Sequence, residues 1–519
     1  MQTTFVPLLA PVALLVSATA GFKNPGLRPG SVPKQAEVAA LVALGTALVS
    51  LFLLIEYGAR TSPLIGLGGI GISVRLDIVS ATMLLLVSFI GWVVIRYSAT
   101  YLDGEDRQGS FTGWLCMTLA AVLLLVTAGN LVQLVLAWIG TSVFLQKLLL
   151  FYPGRVEAQR AARKKFLSAR AGDAALLVAA FILVRGYGTT DLAAILLKAR
   201  AGLGGGFVVA AAAMIALAGL LKSAQFPTHG WLIEVMETPT PVSALLHAGV
   251  INAGGFLVVR FADVMVQAPG VLSALAIVGG FTAAFGGLVM LTQPSVKTSL
   301  AWSTVGQMGF MMLECGLGLF PLALLHIVAH SLYKAHSFLI SGSAVEYVAL
   351  SRRPGVTAIP NAAAVGQAFV LALSIYAIIG FAFGFAHKSP QAIALGAILV
   401  FGVAYLIAQG LADKAPAALT RRITFLAIVA SVSYFGLQAA SVRLTAGTLP
   451  PAPIPGPLEW AVIGLAVVSF GAMAVVQAMF PLWAYHPAAA GLRVHLSNGL
   501  YVNTIFDRVF GGWSIAKSP

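Results

Sequence analysis

Three ionisable side chains recur at four-residue spacing within one apolar stretch, residues 318–345. They are His326, His330 and Lys334. Residues i and i+4 of a helix are neighbours on one face, so these groups form a single stripe if the stretch is helical. Imidazole titrates near neutral pH and can donate or accept a proton, so the stripe predicts proton relay. Two imidazoles at this spacing can also chelate a metal, but the ammonium of Lys334 would repel a cation there.

Further ionisable residues interrupt other apolar stretches. Such a group inside a membrane costs about 2.5–3.5 kcal/mol, so it normally faces a protein-lined or wet interior. A lone example is readily explained as a buried polar group that neighbouring helices satisfy, but a series favours a path for ions. The members of this series are Lys147, Arg170, Asp173, Lys222, Glu234, Glu237, His247 and Glu314.

The elements that position these groups must be membrane helices. Of the 519 residues, 59% are hydrophobic and 9% are charged, and the mean hydropathy is +0.94. A soluble domain carries about 25% charged residues, so a water-soluble enzyme and a disordered chain are both excluded. The net charge of +14 is assigned to Lys and Arg beside cytoplasmic span ends and does not indicate a nucleic-acid partner. The two cysteines lie in apolar runs and predict neither a disulfide framework nor a metal cluster.

The apolar runs predict an all-α polytopic membrane protein with about 14–15 transmembrane helices. Six basic residues between 151 and 170 place that loop in the cytoplasm, and the N-terminus then lies outside. We expect residues 1–485 to form the membrane domain and 486–519 a cytoplasmic amphipathic segment. The expected spans are 5–21, 37–57, 76–96, 112–129, 130–150, 168–186, 206–236, 241–261, 270–291, 298–316, 318–345, 361–386, 391–411, 423–440 and 457–480.

Two of these runs carry signals for a broken helix. The run 206–236 is long for a single span and contains Pro227, which removes a backbone donor and clashes with the preceding turn. We expect a discontinuous helix after Lys222, with a helix end followed by a cytoplasmic loop as the alternative. The Lys388-Ser389-Pro390 pattern predicts either the matching break of an inverted repeat or a short external turn.

At these residues the sequence resembles a known family. The segments LLKSAQFPTHGWLIEVMETPTPVSALLHAG, VKTSLAWSTVGQMGFM and LLHIVAHSLYKAHSFLISGS are similar to the signature of the proton-antiporter family. That family includes the large membrane subunits of respiratory complex I and of Mrp-type antiporters. The resemblance implies an antiporter-like fold with inverted repeats and a hydrated polar axis near the membrane midplane. It implies proton-path roles for Lys222, His247, Lys297, His326, His330 and Lys334, and more weakly for Lys388.

One departure concerns the fifth span. The family usually has a glutamate after a tryptophan there, and its charge pairs with the lysine that matches Lys222. Here Trp138 is followed by Ile139. Glu234 or Glu237 would replace the missing charge if the broken helix folds them back toward Lys222.

Within the family, the segments HAGVINAGGFLVVRFADVM and AHSLYKAHSFLISGSAVEY look most like the membrane subunits of two-component inorganic carbon transporters. This resemblance implies a DabA-like partner, a large cytoplasmic zinc-binding protein similar to a β-carbonic anhydrase. A flow of H⁺ or Na⁺ through this chain would drive conversion of CO2 to bicarbonate in the partner. The zinc would belong to the partner and no cofactor to this chain, which would be a multi-pass protein of the cell inner membrane.

The alternatives are a proton-translocating complex I subunit L-like protein and an Mrp-type Na⁺/H⁺ antiporter subunit. The missing glutamate and the short C-terminal region count against the first. The lack of an additional C-terminal membrane domain counts against the second. No phosphate-binding loop, dinucleotide fingerprint or Ser-His-Asp pattern is present in the sequence. We therefore expect a transporter subunit rather than an enzyme.

Overall fold

The apolar runs fold into helices, because a segment surrounded by hydrocarbon must satisfy its own backbone N–H and C=O groups. The computed structural model describes residues 2–235, 238–341, 361–410, 417–484 and 486–509. The α-helices in these ranges are α1 (Leu9–Lys23), α2 (Val32–Tyr57), α3 (Ile78–Tyr101), α4 (Gln108–Val126), α5 (Leu131–Leu149), α6 (Val156–Tyr187), α7 (Leu192–Arg200), α8 (Phe207–Lys222), α9 (Gly230–Glu234), α10 (Thr240–Ala248), α11 (Ala253–Arg260), α12 (Ala262–Met265), α13 (Pro269–Leu291), α14 (Val296–Gly316), α15 (Phe320–Ser341), α16 (Ala362–Ala382), α17 (Pro390–Gly410), α18 (Ala417–Thr445), α19 (Pro457–Ala478), α20 (Phe480–Trp483), α21 (Ala490–Ser497) and α22 (Val502–Val509).

Eleven stretches of helix in the described residues are long and apolar enough to cross a membrane. Two shorter apolar helices, Phe207–Lys222 and Pro390–Gly402, add to them. Helices α14 and α15 are 21 and 22 residues long and carry much of the predicted path. With these included, each of the predicted spans has a helix, and the all-α polytopic fold class is confirmed.

The connection between α2 and α3 contains short strands that the sequence did not predict. Strand β1 (Arg60–Thr61) pairs antiparallel with β4 (Arg75–Leu76), and β2 (Ile65–Leu67) pairs with β3 (Ile70–Ile72). The turn between β2 and β3 is Gly68-Gly69, with φ of 58° and 81°. Positive φ at both residues is what a tight two-residue hairpin requires, and glycine adopts it without steric cost.

Contacts between the connections agree with the alternating course of the chain. The α2–α3 connection meets the α4–α5 connection through a β-bridge between Val74 and Ala128. At the other side, Arg107, between α3 and α4, donates to the carbonyl oxygen of Phe151, between α5 and α6 (3.1 Å). Connections that the sequence assigns to one side of the membrane are therefore neighbours in the structure.

Regular helix is interrupted twice near the predicted path. Helix α8 ends at Lys222, and regular helix resumes at Gly230 in the short α9. This is the discontinuity that Pro227 predicts, and the Phe226–Pro227 peptide bond is cis. The second interruption was not predicted: the expected span 241–261 is divided by Gly249 and a 3₁₀ turn, Val250–Asn252.

The connection at Lys388 is a turn. Phe369 of α16 contacts Phe401 of α17, with ring centroids 5.6 Å apart. Nearer the connection, the Tyr376 hydroxyl donates to the carbonyl oxygen of Ile393 (2.8 Å). These contacts belong to two antiparallel helices packed side by side, so Lys388 joins two separate spans and does not lie within one broken helix.

Candidate functional site

Helix α15 presents the predicted stripe to helix α14. His326 Nδ1 lies 2.9 Å from Glu314 Oε2. Two turns further along, the buried ammonium of Lys334 donates to the Leu300 carbonyl oxygen (3.1 Å) and to Ser303 Oγ (2.8 Å). Both ends of the stripe therefore have partners on the same neighbouring helix.

His330 lies between these ends, with its ring centroid 6.0 Å from that of His326. Within the described part of the chain, neither ring nitrogen of His330 has a hydrogen-bond partner. His247 reaches the group from the last turn of α10, just before the second interruption. Its Nδ1 is 3.1 Å from Thr304 Oγ1, and its ring stacks on Phe338 at 4.3 Å between centroids. We call His247, Glu314, His326, His330 and Lys334 the histidine cluster.

Lys222 lies in a separate cluster formed with helix α5. Its side chain is buried at the end of α8. The ammonium donates to Ser142 Oγ (2.6 Å) and Thr141 Oγ1 (3.2 Å), and it lies 4.4 Å from the centroid of the Trp138 ring. Neutral oxygens and an aromatic face thus bind the cation directly.

The carboxylate beside Lys222 is Asp173, not Glu234. Asp173 is buried on α6 and interacts electrostatically with Lys222 and Lys165. Its Oδ2 is 2.6 Å from Arg170 Nη2. The sequence marked Asp173 only as a charge at the start of a span, because its approach to α8 depends on helix packing. We call Trp138, Thr141, Ser142, Lys165, Asp173 and Lys222 the lysine cluster.

Glu234 belongs to an ion-pair network at the side of the basic loops. Its Oε1 lies 2.5 Å from the Lys164 ammonium, which also contacts Asp507 Oδ1 at 2.6 Å. Asn503 from the C-terminal segment bonds to both Glu234 and Lys164. This network fixes α9 to α6 and α22, and it does not direct Glu234 toward Lys222. Glu237 lies outside the described residues.

The remaining two candidates lie near the ends of spans. Lys297 is partly exposed in the first turn of α14, three residues before the carbonyl of Leu300 that accepts from Lys334. Lys388 donates to Gln438 Oε1 on α18 (2.8 Å), and its ammonium lies 5.4 Å from the Phe435 ring centroid. Neither side chain lies in the histidine or the lysine cluster.

The second interruption lies between the two clusters. A cavity of about 10 Å³ beside Lys222 reaches Val250, and another of about 20 Å³ extends from Val250 to Asn252 and Ser331. Asn252 Nδ2 donates to Ser331 Oγ on α15 (2.8 Å). Each cavity has room for about one water, for which about 10–15 Å³ is needed. Two water-sized spaces and the Asn252–Ser331 hydrogen bond therefore lie in the region between the clusters.

This arrangement suits the movement of protons more than covalent chemistry. Amines, imidazoles and hydroxyls alternate with small cavities, and each can pass a proton to a neighbour or to water. The described residues contain no group of three or more His, Cys, Asp or Glu side chains that could hold a metal.

Comparison with known proteins assigns the family. The model for "NADH:quinone oxidoreductase/Mrp antiporter, TM" matches residues 128–353, and that for "NADH-Ubiquinone oxidoreductase (complex I), chain 5 N-terminus" matches 65–112. A protein of Halothiobacillus neapolitanus named "Probable inorganic carbon transporter subunit DabB2" is 36% identical over 540 residues, covering 100% of this chain and 96% of that protein. The chain belongs to the DabB group of the proton-antiporter family. This confirms the family resemblance and the closer similarity to inorganic carbon transporter subunits.

Other members of the proton-antiporter family match over shorter regions. "Probable inorganic carbon transporter subunit DabB" of Hydrogenovibrio crunogenus is 48% identical over 269 residues, 51% of this chain and 52% of that protein. The NADH-quinone oxidoreductase subunit L of Escherichia coli is 34% identical over 325 residues, 59% of this chain and 53% of that protein. The chain is therefore a multi-pass membrane subunit of an ion-translocating family.

Solved structures show the same fold. A chain of the Mrp complex from Dietzia sp. has a TM-score of 0.60 at 24% identity, over 99% of this chain and 58% of that one. A chain of respiratory complex I from Thermus thermophilus has a TM-score of 0.56 at 20% identity, over 96% and 99% of the two chains. The antiporter-like architecture is thus common to this DabB-group chain and to subunits of larger membrane assemblies.

Proposed function

We propose that this chain is the ion-conducting membrane subunit of a two-component inorganic carbon accumulation complex in the cell inner membrane. Flow of H⁺ or Na⁺ through it drives hydration of CO2 to bicarbonate in a DabA-like cytoplasmic partner. The names of its DabB relatives, which match over the full chain or over part of it, support the transport of inorganic carbon. Zinc belongs to the partner, where it lowers the pKa of bound water, and this chain performs no covalent step.

The observation that supports the proposal is the pair of buried clusters on either side of the second interruption. Lys222 and Lys334 are both inside the protein at membrane depth, although an ionisable group there is costly. Hydroxyl groups hold each ammonium, and Asn252 and Ser331 lie on the way between the two. A lysine with a purely structural role would not need polar groups such as Asn252 and Ser331 between it and a second buried lysine.

The roles follow from position. His247, His326, His330 and Lys334 relay protons within the histidine cluster, and Lys222 relays them within the lysine cluster. Lys297, one turn beyond Leu300 on α14, connects Lys334 with the side of the basic loops. Glu234 acts at that same side through Lys164, and the proposed path includes Glu237, which the sequence predicts. Lys388 contributes at the opposite side.

The first experiment replaces Lys222 and Lys334 separately with Ala in the complete complex. We expect each variant to purify with its partner but to lose CO2-dependent growth rescue in a strain lacking carbonic anhydrase. Lys34→Ala is the matched control, because Lys34 is exposed at the start of α2. Full rescue by both cluster variants would contradict the proposal.

The second experiment identifies the driving ion and the partner. Collapse of the proton and sodium gradients together should stop bicarbonate accumulation, and collapse of each alone identifies the ion. The protein that copurifies should contain zinc. Accumulation that persists without either gradient, or copurification with redox subunits alone, would contradict the assignment.

A further inference from the structure

Glu314 is a buried carboxylate that the proposed function has not used. It lies two residues before the C-terminal end of α14, and its side chain is 6% exposed. Its Oε2 is 2.9 Å from His326 Nδ1, and the side chain of His326 is 10% exposed. A carboxylate and an imidazole at this distance share a hydrogen bond through which a proton can move.

The pair lines an open cavity of about 360 Å³ at the protein surface, where Ala329, Tyr333 and Leu437 are exposed. One water needs only about 10–15 Å³, so this space can hold a cluster of waters. Its apolar walls come from α14, α15, α17 and α18. The polar side chains that line it are Gln307, Glu314, His326, His330, Tyr333 and Tyr434.

Several polar atoms of this lining lack protein partners. His330 is 4% exposed. In the described ranges, both of its ring nitrogens, His326 Nε2 and the Tyr434 hydroxyl make no hydrogen bond. Buried polar groups are normally bonded to protein or to ordered water. These atoms border the cavity, so waters that enter it would satisfy their hydrogen bonds.

The cavity occupies the half of the membrane opposite the basic loops. Along α15 its lining runs from Leu322, near the start of the helix, to Tyr333. Those eleven steps cover about 16 Å at 1.5 Å per residue, about half of the ~30 Å hydrocarbon core. The inner end of the lining is one residue from Lys334. The cavity therefore connects the outer ends of α14 and α15 with the middle of the histidine cluster.

We propose that Glu314 and His326 form the site at which protons enter the histidine cluster from the outer side. A hydronium ion in the cavity gives a proton to the Glu314 carboxylate and becomes water, and Glu314 passes the proton to His326 Nδ1 and becomes a carboxylate again. His326 releases a proton from Nε2 into the cavity, and His330 accepts it on one ring nitrogen and releases a proton from the other. Lys334 receives that proton after it has passed its own proton onward, and the two rings return to their starting tautomers. The pair suits a proton more than a metal cation, because hard cations prefer several oxygen ligands and this site combines one carboxylate with a nitrogen. The inference rests on the proposed ion conduction.

The test measures proton uptake into proteoliposomes that contain the purified two-component complex. Glu314→Gln keeps an acceptor for His326 but cannot bind the proton, and we expect flux to fall at least tenfold. Glu314→Asp should retain part of the flux. Glu459→Gln is the matched control, because Glu459 caps α19 at the same side, where its carboxylate accepts from the Gly456 N–H. In infrared difference spectra, the band of a buried protonated carboxyl should disappear in Glu314→Gln.

Lys334→Ala separates the two ideas. If Lys334→Ala abolishes flux while Glu314→Gln conducts like the unmodified chain, the entrance site is wrong and ion conduction stands. If Lys334→Ala also conducts normally, the proposed conduction itself fails. The side of access is tested with Ala329→Cys, which lies in the cavity lining. A membrane-impermeant thiol reagent should block this variant from outside only, whereas the chain with its two buried cysteines should be unaffected. A block from the inside only would overturn the outer entrance.

Discussion

Replacing Asp173 with Asn tests whether the lysine cluster depends on the carboxylate that α6 places beside Lys222. The substitution preserves the shape of the side chain and removes one negative charge. Lys165, Arg170 and Lys222 then face one another without the anion that interacts with all three. The change therefore isolates charge from packing.

The structure sets the size of the effect. The Asp173–Arg170 contact of 2.6 Å corresponds to about 6 kcal/mol of Coulomb attraction at an effective dielectric constant of 20, which is an upper limit. The side chain of Arg170 is 34% exposed, so water screens part of this attraction. Removing one member of a buried pair costs about 3–5 kcal/mol, and we expect the lower end, about 3 kcal/mol. That is roughly a hundredfold change in the unfolding equilibrium.

The assay combines denaturation of the purified complex with proton flux in proteoliposomes. We expect Asp173→Asn to be destabilised and to conduct poorly. In the double variant with Lys222→Met, about 0.5–3 kcal/mol of the lost unfolding free energy should be recovered, because the second substitution removes an uncompensated charge. Proton flux should not be restored. Asp191→Asn is the control, because the Asp191 carboxylate caps α7 by accepting from the Ala194 N–H. Normal stability and flux in Asp173→Asn, or no coupling with Lys222→Met, would refute this account of the cluster.

Three further substitutions probe two buried ion pairs and the position that follows Trp138. Lys164→Ala should release the C-terminal segment, because the Lys164 ammonium contacts the carboxylates of both Glu234 and Asp507. Limited proteolysis should then cut that segment faster, and an unchanged cleavage pattern would contradict the proposed role of this network. Asp77→Asn removes the carboxylate that lies 2.6 Å from Arg260, whose side chain is 2% exposed. We expect it to lower the free energy of unfolding by about 3–5 kcal/mol, whereas the exposed control Asp103→Asn should lower it by less than about 1 kcal/mol. Burial alone would raise the pKa of Asp77, but the charge of Arg260 holds this pKa below its usual range. The Asp77–Arg260 ion pair therefore stabilises the fold above the aspartate pKa of the unfolded chain, about 4, and this contribution is lost as the pH falls below that value. Ile139→Glu restores the family's carboxylate beside Trp138 and should slow bicarbonate uptake or permit proton leak, so unchanged uptake and leak would show that this position is not coupled to Lys222.

The sequence predicted those parts of the fold that depend on local chemistry. Hydropathy located the spans because each must bury about 20 apolar residues. Pro227 predicted the interruption after Lys222 because proline cannot continue the hydrogen-bond ladder. The interruption at Gly249 carries no proline and no charge, and a glycine in an apolar run is also compatible with a continuous helix.

Partners in the site were harder to predict because they are distant in sequence. The four-residue spacing placed His326, His330 and Lys334 on one face, since that is a property of a single helix. Asp173 meets Lys222 only when α6 packs against α8, and Glu234 meets Asn503 only when the C-terminal segment folds back. Neither contact leaves a local pattern, so the sequence offered Glu234 or Glu237 as a conditional partner of Lys222, whereas the structure pairs Glu234 with Lys164.

The narrow spaces on either side of Val250 have a consequence for ion selectivity. With about 10 and 20 Å³ available, a single water fits in each, and a proton can cross by changing hydrogen bonds along such a file. A sodium ion would need to shed most of its hydration shell and would find the amide of Asn252 and a few hydroxyls as replacements. We therefore expect transfer between the lysine and histidine clusters to favour protons over sodium ions, because a sodium ion could not keep its hydration shell in these spaces.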